Sequence, residues 1–355
     1  MKAKKIIWIL SSLLAIFVLI NLYTTLSMMS IAQELQTETA ELTRPAKIDM
    51  ITIIDPTCTD CFDILTVVEG IKSANIELTS EDTLEYSNEI AQSLIEKYAI
   101  EKIPTVIVTG EIEKEGSEIA NLEKKDDALI FTNLNPVYLE TSTGDYRGRI
   151  EIKNIVNEDC EECYDMNSFI TAVSSLISIS TEETISLDDA SELLTEYNLT
   201  EVPAVIFSGD LDLYPEIVTK LEALGTYVGK DLVLTAKLNP PYWDLTEEEI
   251  KGLVSVTYLT DDSCKDCYNV NIHKTVLINY GIFIADETTL DISSNGGQKL
   301  LKDYSITKVP TIIVSKELAD YSTITKVWEQ VGTVEEDGSY IFRELDLVSS
   351  NYTSL

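Results

Sequence analysis

The sequence contains the same Cys-x-x-Cys pair three times at nearly equal spacing. The first cysteines of successive pairs are 102 and 104 residues apart. In each pair, an aromatic residue follows the second cysteine. A period of this length is that of a whole domain rather than of a stacked repeat motif. All of the chain's cysteines belong to these pairs: Cys58, Cys61, Cys160, Cys163, Cys264 and Cys267.

Two further landmarks recur in the same order. The first is a tyrosine followed five residues later by Ile-Pro or Val-Pro, and the prolines Pro104, Pro203 and Pro310 lie 43, 40 and 43 residues after the second cysteine. The second is Leu-Asn-Pro, which ends at Pro136 and again at Pro240. Together the landmarks predict three domains, at 47–145, 146–247 and 248–355. The preceding residues are divided, by the N-terminal charge and hydrophobicity described below, into a membrane helix or signal anchor at 1–29 and a stalk at 30–46.

Hydrophobic patterning predicts alternating strands and helices within each repeat. In the first repeat, apolar or alternating runs predict strands at 48–54, 76–79, 105–108 and 128–131. Helical spacing follows the cysteine pair at 64–71 and recurs at 88–98. This order requires a mixed sheet covered by helices, which is an α/β fold. In the third repeat, Glu336-Asp337-Gly338 predicts a hairpin turn.

With these motifs the chain resembles the thioredoxin superfamily, and more loosely the disulfide isomerases that join several such domains. The resemblance covers about residues 47–350 and rests on the Cys-x-x-Cys after the first strand and the proline before the third. It implies cis peptide bonds before the three prolines, which would face the sulfurs and a bound peptide. It implies that all six cysteines are catalytic, with the first of each pair attacking and the second resolving a mixed disulfide. It also assigns the substrate backbone to Ile103, Pro104, Val202, Pro203, Val309 and Pro310.

The chain departs from the family at positions that tune reactivity. Where an aromatic usually precedes the first cysteine, it has Thr57, Asp159 and Ser263. Where many thioredoxins bury a proton-relaying carboxylate, six residues before that cysteine, it has Thr52, Asn154 and Tyr258.

The residues around the sulfurs are expected to control their reactivity. A helix N-terminus, where the first cysteine of each pair is expected, favours the reactive thiolate. Acidic neighbours oppose it, and they crowd Cys160 most. We therefore predict tightly held disulfides that are weak oxidants, with the second pair least reactive. Cys264, which is followed by Lys265, should be the most reactive thiol.

Two other roles for the cysteines compete with redox activity. They could form inert structural disulfides, although a bond across so short a loop stabilises little. They could also bind zinc, but zinc needs four ligands and the chain has one histidine, His273, for which a structural role at the surface is expected. No metal site and no cofactor is therefore predicted.

The N-terminus predicts a membrane segment. Lys2, Lys4 and Lys5 precede an apolar run over 6–22 that continues less strongly to residue 29. This pattern fits a single-pass anchor with a cytoplasmic N-terminus, and a cleaved signal ending near Ala32 is the alternative. Both place the domains outside the cytoplasm.

The net charge of −35 argues against a nucleic-acid partner. Two functions remain. One is a membrane-tethered thiol–disulfide oxidoreductase or isomerase acting on secreted or surface proteins, with an unidentified redox partner that recycles it. The other is a redox-inert scaffold or peptide-binding module with structural disulfides.

Overall fold

The structure is a computed structural model that describes residues 2–114, 119 and 121–355. The chain divides into two compact units, Met1–Arg147 and Gly148–Leu355. The first unit holds an N-terminal helix and one α/β domain. The second unit holds two further α/β domains. These are called the first, second and third domains below.

The N-terminal helix, α1, runs from Lys2 to Thr43. It includes most of the segment predicted as a stalk, so the polar residues after the apolar run continue the helix. Among the described residues, the stretch Ile16–Glu41 of this helix is long and apolar enough to cross a membrane by length and composition, as an anchor or a signal sequence would be. Just after the helix, Arg44 binds Glu111 of the first domain through two hydrogen bonds of 2.6 and 2.7 Å.

The first domain is built on a mixed five-stranded sheet with strand order β2-β1-β4-β6-β5. The strands β1 and β2 are parallel, and β4 is antiparallel to β1. Its elements are β1 (Ala46–Ile54), α2 (Leu65–Lys72), β2 (Ile76–Glu85), α3 (Glu89–Tyr98), β3 (Lys102–Ile103), β4 (Thr105–Gly110), β5 (Glu123–Lys125), β6 (Ala128–Ile130), β7 (Tyr138–Glu140) and β8 (Tyr146–Arg147). The predicted order of strands and helices is confirmed, although β2 is longer than predicted and the short strands β3, β5, β7 and β8 were not foreseen.

The second domain has the equivalent sheet order β10-β9-β12-β14-β13, and it adds a helix between β12 and β13 that was not predicted. Its elements are β9 (Ile150–Val156), α4 (Asn167–Ser174), β10 (Ile179–Ser186), α5 (Ser191–Glu196), β11 (Glu201–Val202), β12 (Ala204–Gly209), α6 (Pro215–Glu222), β13 (Thr226–Val228), β14 (Asp231–Thr235), β15 (Tyr242–Asp244) and β16 (Glu249–Lys251).

The third domain has the equivalent order β18-β17-β20-β22-β21, and the predicted hairpin turn joins its last two sheet strands. Its elements are β17 (Val254–Thr260), α7 (Ile272–Asn279), β18 (Ile284–Asp291), α8 (Asn295–Asp303), β19 (Lys308–Val309), β20 (Thr311–Val314), α9 (Ser322–Trp328), β21 (Gly332–Val334), β22 (Tyr340–Phe342) and β23 (Thr353–Ser354). The three domains therefore share one thioredoxin-like fold.

Each sheet is buried on both faces at its centre. In the second domain, Ile152 and Phe207 pack with α4 and α6 on one face. On the other face, Ile155 and Ile206 pack with α5. Continuous apolar runs in the central strands, such as Val106 to Val108 of the first domain, are what a sheet covered on both faces requires.

The outermost parallel strand of each sheet is different, because most of its side chains are exposed. The strands β2, β10 and β18 each carry two adjacent exposed acidic residues near their middle. These pairs are Glu81-Asp82, Glu182-Glu183 and Asp286-Glu287. Each five-stranded sheet thus has one charged edge.

Candidate functional site

The three cysteine pairs form disulfide bonds, each within its own Cys-x-x-Cys. Every pair lies in the loop between the first strand and the first helix of its domain. The sulfur-bearing residues of the first and third domains are half-buried, whereas Cys160 is only 8% exposed. The second pair is therefore the least accessible of the three.

The cysteines do not lie at helix N-termini, which corrects the expectation from the resemblance. The helices that follow begin at Leu65, Asn167 and Ile272, seven or eight residues after the first cysteine of each pair. The reason is a turn between the pair and the helix. The side-chain oxygens of Asp63, Asp165 and Asn269 accept the backbone N–H of the residue two positions later, and this turn delays the helix. The helix dipole thus cannot stabilise a thiolate there.

An acidic or amide side chain three residues before the first cysteine organises each loop. In the first domain, Asp55 accepts hydrogen bonds from Thr57 and from the hydroxyl of Tyr146. Burial works to raise the pKa of Asp55, but these hydrogen bonds outweigh it and hold the pKa below its ordinary value. In the third domain, Asp261 takes the same place and accepts from Ser263 and from the hydroxyl of Thr353.

The peptide bonds before Pro104, Pro203 and Pro310 are cis, as the resemblance implied. All three prolines are buried, and so are the residues that precede them. The predicted peptide-binding residues therefore expose almost no side-chain surface. What could be offered to a peptide is the backbone edge of the short strands β3, β11 and β19.

That edge is already paired with the chain itself in all three domains. We call the segments 137–141, 241–245 and 351–355 the clamp strands. The middle residue of each clamp strand lies opposite the residue before a cis-proline: Leu139 opposite Ile103, Trp243 opposite Val202, and Thr353 opposite Val309.

Each clamp strand also makes two equivalent backbone hydrogen bonds at its ends. Its first residue accepts the N–H of the aromatic residue that follows the cysteine pair, with N···O distances of 2.8, 2.8 and 3.0 Å for Phe62, Tyr164 and Tyr268. Its fifth residue donates its N–H to Glu101, Thr200 or Thr307 at 2.8–2.9 Å. A clamp strand thus joins the disulfide loop to the cis-proline edge.

The sequence carries a signal for these strands that local patterning does not detect. The second residue of every clamp strand is a tyrosine: Tyr138, Tyr242 and Tyr352. In the first and third domains, a lysine ammonium lies over the tyrosine ring, with Lys102 4.5 Å and Lys308 4.8 Å from the ring centroid. Strands of two or three residues carry no periodicity, so only comparison of the repeats could have revealed them.

The third domain adds a polar network around its histidine. The hydroxyl of Tyr268 donates to the carbonyl of Pro310 at 2.8 Å and lies 3.1 Å from Nε2 of His273. Because the Tyr268 proton is used on Pro310, Nε2 of His273 is the donor in the second contact. His273 is 5% exposed, so the expectation of a surface histidine is wrong. Burial lowers its pKa to about 4.

The sulfur of Cys267 is in contact with the clamp strand of the third domain. Oγ1 of Thr353 lies 3.6 Å from Sγ of Cys267 and donates to Asp261 at 2.7 Å. Since Thr353 is also opposite Val309, one residue separates the disulfide from the cis-proline edge. The resemblance assigned the attack to the first cysteine, and that assignment stays a prediction.

The positions six residues before the first cysteines are buried, as the carboxylate they replace would be. Thr52, Asn154 and Tyr258 are each at most 6% exposed. Tyr258 binds Glu287 at 2.9 Å, and that carboxylate pairs with Lys274 at the surface. At these three positions the chain therefore buries no ionisable carboxylate that could relay a proton to the sulfurs.

Within the part of the chain that the structure describes, no group of three or more His, Cys, Asp or Glu side chains could hold a metal ion. The two sulfurs of each cysteine pair are bonded to each other in a disulfide. The chemistry that the arrangement can support is thiol–disulfide exchange at the three pairs.

Comparison with known proteins adds little to this description. No family model matches the chain, and no curated protein matches it. Solved structures that are similar include the alkylhydroperoxide reductase component AhpF of Enterococcus faecalis, at 18% identity over 47% of this chain and 81% of that one, with a TM-score of 0.17. Human ERp44 is 10% identical over 89% of this chain and 97% of its own, with a TM-score of 0.15.

ERdj5 is 10% identical over 81% of this chain, which spans 42% of the ERdj5 chain, with a TM-score of 0.16. Superpositions with TM-scores this low carry no argument about function. The thioredoxin-like fold of the three domains rests on their own sheet order, on the position of the Cys-x-x-Cys loops and on the cis-prolines.

Proposed function

We propose that the protein is a membrane-tethered thiol–disulfide oxidoreductase or isomerase that acts outside the cytoplasm on secreted or surface proteins. One observation carries the proposal. In the third domain, Thr353 touches the sulfur of Cys267 and pairs with Val309, so the disulfide and the cis-proline edge lie within one residue of each other. An extended peptide at that edge would bring its own sulfur to the disulfide.

The small loop closed by each disulfide supports a chemical role over a structural one. Each bond joins residues only three positions apart. The entropic stabilisation from closing so short a loop is small, so fold stability alone gives little reason for three such bonds. The cysteines of the first and third domains are partly exposed, which supports access of a thiol to these pairs.

The surroundings of the sulfurs favour weak oxidants. The first cysteines lie outside any helix N-terminus. In the first domain, Oδ1 of Asp60 is 3.5 Å from Sγ of Cys58, so reduction would place a thiol beside a carboxylate. A negative neighbour disfavours the thiolate and makes it a poorer leaving group. We therefore propose that the pairs are weak oxidants, with the second least reactive and Cys264 the most reactive thiol.

Tethering is proposed from the N-terminal helix. The stretch Ile16–Glu41 has the length and hydropathy of a membrane span. Lysines precede it and acidic sequence follows it, so the positive end is expected to stay in the cytoplasm. A protease-protection assay on membranes that carry the full chain tests this orientation. Digestion of the domains by protease added to the outer face would support it, and digestion by protease added to the cytoplasmic face would contradict it.

A redox titration of the full chain in detergent tests the chemical proposal. The chain is equilibrated in graded dithiol buffers, alkylated and mapped by mass spectrometry, so that each pair is read separately. One or more pairs titrating between about −120 and −270 mV, the range of dedicated thiol–disulfide enzymes, supports the proposal. If all three stay oxidised below about −300 mV, as structural disulfides do, the proposal is wrong.

The second candidate function is a redox-inert scaffold, and the clamp strands favour it. They occupy the cis-proline edge in all three domains, so no such edge is open to a peptide in the described structure. In a scaffold the three pairs would behave alike and as structural bonds. The redox titration separates the two functions because only the oxidoreductase requires a pair that is reduced at moderate potentials.

A further inference from the structure

We propose that residues 351–355 are a displaceable strap, which occupies the binding edge for an extended peptide whose cysteine takes the place of Thr353. This inference rests on the proposed oxidoreductase function and names the kind of peptide that the third domain accepts. The first and second domains hold their clamp strands permanently.

The three clamp strands differ in how firmly they are built into their domains. In the first and second domains the clamp strand is the central strand of a three-stranded sheet, β3-β7-β8 or β11-β15-β16. In the third domain it belongs to the two-stranded sheet β19-β23. Among the residues that the structure describes, it therefore has one strand pairing where the other two clamp strands have two.

The clamp strands also differ in the apolar surface that they bury. In the first domain, Tyr138 is 4% and Leu139 is 2% exposed. In the third, Tyr352 is half-buried against the domain's core and Thr353 is half-buried, while Ser354 is exposed and Leu355 is 55% exposed. Since burial of apolar surface is the main favourable contribution to packing, release of residues 351–355 costs far less than release of 137–141.

Polar contacts hold the strap in a defined register. The hydroxyl of Tyr352 donates to Asp346 at 2.8 Å, and Lys308 binds the same carboxylate at 2.7 Å while its ammonium lies over the Tyr352 ring. The hydroxyl of Thr353 donates to Asp261. These contacts define what a replacing peptide needs, which is an aromatic residue immediately before the residue opposite Val309.

The residue opposite Val309 is placed for reaction. Oγ1 of Thr353 is 3.6 Å from Sγ of Cys267, and a cysteine sulfur at this position would replace that oxygen. The peptide's thiolate attacks Sγ of Cys267, and a sulfur–sulfur bond forms between them. The Cys264–Cys267 bond breaks, and its electron pair leaves on Sγ of Cys264, which takes up the proton released by the peptide thiol.

A second thiol of the substrate then attacks the peptide sulfur of this mixed disulfide. The leaving electron pair goes to Sγ of Cys267, which takes up the proton of the second thiol. The substrate is thereby oxidised by two electrons, and the Cys264–Cys267 pair is reduced by two electrons and two protons. No other oxidant enters the step. The reverse sequence reduces a substrate disulfide.

Replacement of Thr353 by cysteine in the full chain tests the position directly. In Thr353→Cys, the introduced thiol should exchange with the disulfide without added oxidant, giving a bond from position 353 to Cys267 and an alkylatable Cys264 in at least about half of the molecules. Peptide mapping after alkylation reads both. Ser354→Cys is the matched control, because the side chain of residue 354 is exposed, and it should leave the Cys264–Cys267 bond intact.

A second variant tests whether the strap is displaceable. Tyr352→Ala removes the ring beneath Lys308 and the hydrogen bond to Asp346. We expect dithiothreitol to reduce Cys264–Cys267 about two- to fivefold faster in this variant, as expected for the loss of one cation–π contact. The other two pairs, in the same molecule, should react at unchanged rates and serve as internal controls.

The outcomes separate this inference from the function on which it rests. If a pair titrates as an enzyme's does but the Thr353→Cys thiol stays free and the Tyr352→Ala rate is unchanged, the strap is refuted and the oxidoreductase stands. If exchange at position 353 occurs while every pair of the natural chain resists reduction throughout the titration, the oxidoreductase fails and the position of the strap is established.

Discussion

The first and third domains have the same fold, and each has its own disulfide loop at the same position. They nevertheless close the cis-proline edge by different means. The first uses a hairpin whose tyrosine and leucine are buried, and the hydroxyl of Tyr146 in its second strand reaches Asp55. The third uses one short strand whose threonine reaches Asp261. The equivalent carboxylate thus accepts a hydrogen bond from a hairpin tyrosine in the first domain and from a threonine of a half-buried strand in the third. The difference shows that the repeats keep one architecture while closing the cis-proline edge with different amounts of buried side-chain surface.

The largest predicted effect concerns the clamp-strand tyrosines. Tyr138→Ala removes a buried ring and should cost the first domain about 3 kcal/mol or more of unfolding free energy. Tyr352→Ala removes a half-buried ring held by polar contacts and should cost the third domain about 1 kcal/mol or less. Hydrogen exchange followed by mass spectrometry measures each domain separately. Equal losses in the two domains would contradict the contrast between hairpin and strap.

The next effect is a pH dependence specific to the third domain. Burial lowers the pKa of His273 from 6.5 to about 4, so the unfolded chain binds more protons than the folded one between these values. Stability therefore falls as the pH drops below about 6.5, by about 2 kcal/mol at pH 5, and the loss is complete below about pH 4.

The check is to compare the natural chain with His273→Gln by urea unfolding at pH 7 and pH 5. Because the chain has one histidine, the difference between the two pH slopes isolates this group. The unfolding free energy of the variant should fall less between pH 7 and pH 5 than that of the natural chain, whatever its value at pH 7. Equal falls in the two proteins would mean that His273 does not titrate as the structure indicates.

The smallest effect concerns the carboxylate beside the sulfur of the first domain. Asp60→Asn removes a negative charge 3.5 Å from Sγ of Cys58 and should speed reduction of that pair severalfold, since one pKa unit changes the thiolate fraction about tenfold. Asp266→Asn is the matched change in the third domain, where the preceding residue, Lys265, carries a positive charge, and its effect should be smaller. Alkylation kinetics with mass readout compares them. A larger effect at Asp266 would reverse the proposed ranking of the pairs.

The repeats made much of the fold predictable from the sequence. Long apolar strands such as β1 and β4, the amphipathic helix α3 and the three cis-prolines follow from local patterns and from the resemblance. The clamp strands do not, because a pairing such as Val309 with Thr353 joins residues 44 positions apart through two or three residues. A local periodicity in the sequence cannot predict such a contact.

Two expectations about the site were incorrect, one for a local reason and one for a tertiary reason. The cysteines were expected at helix N-termini by resemblance, but the side chains of Asp63, Asp165 and Asn269 form turns that start each helix later. His273 was expected at the surface because histidine is polar and lies on a helix. Its ring centroid instead lies 4.5 Å from that of Phe342 and its Nε2 binds Tyr268, a combination that only the tertiary structure brings together.

The acidic edges of the three sheets should influence whether copies of the chain associate with one another. A sheet edge with free backbone groups is a template on which a second chain can add a strand. Each such edge here carries a pair of neighbouring carboxylates, of which Glu81 and Glu287 are ion-paired with Lys72 and Lys274. The other members, Asp82 and Asp286, and the pair Glu182-Glu183 bring like charges within the Debye length when two copies approach edge to edge. The chain should therefore stay dispersed at low ionic strength and begin to self-associate through β2, β10 or β18 when salt screens those charges.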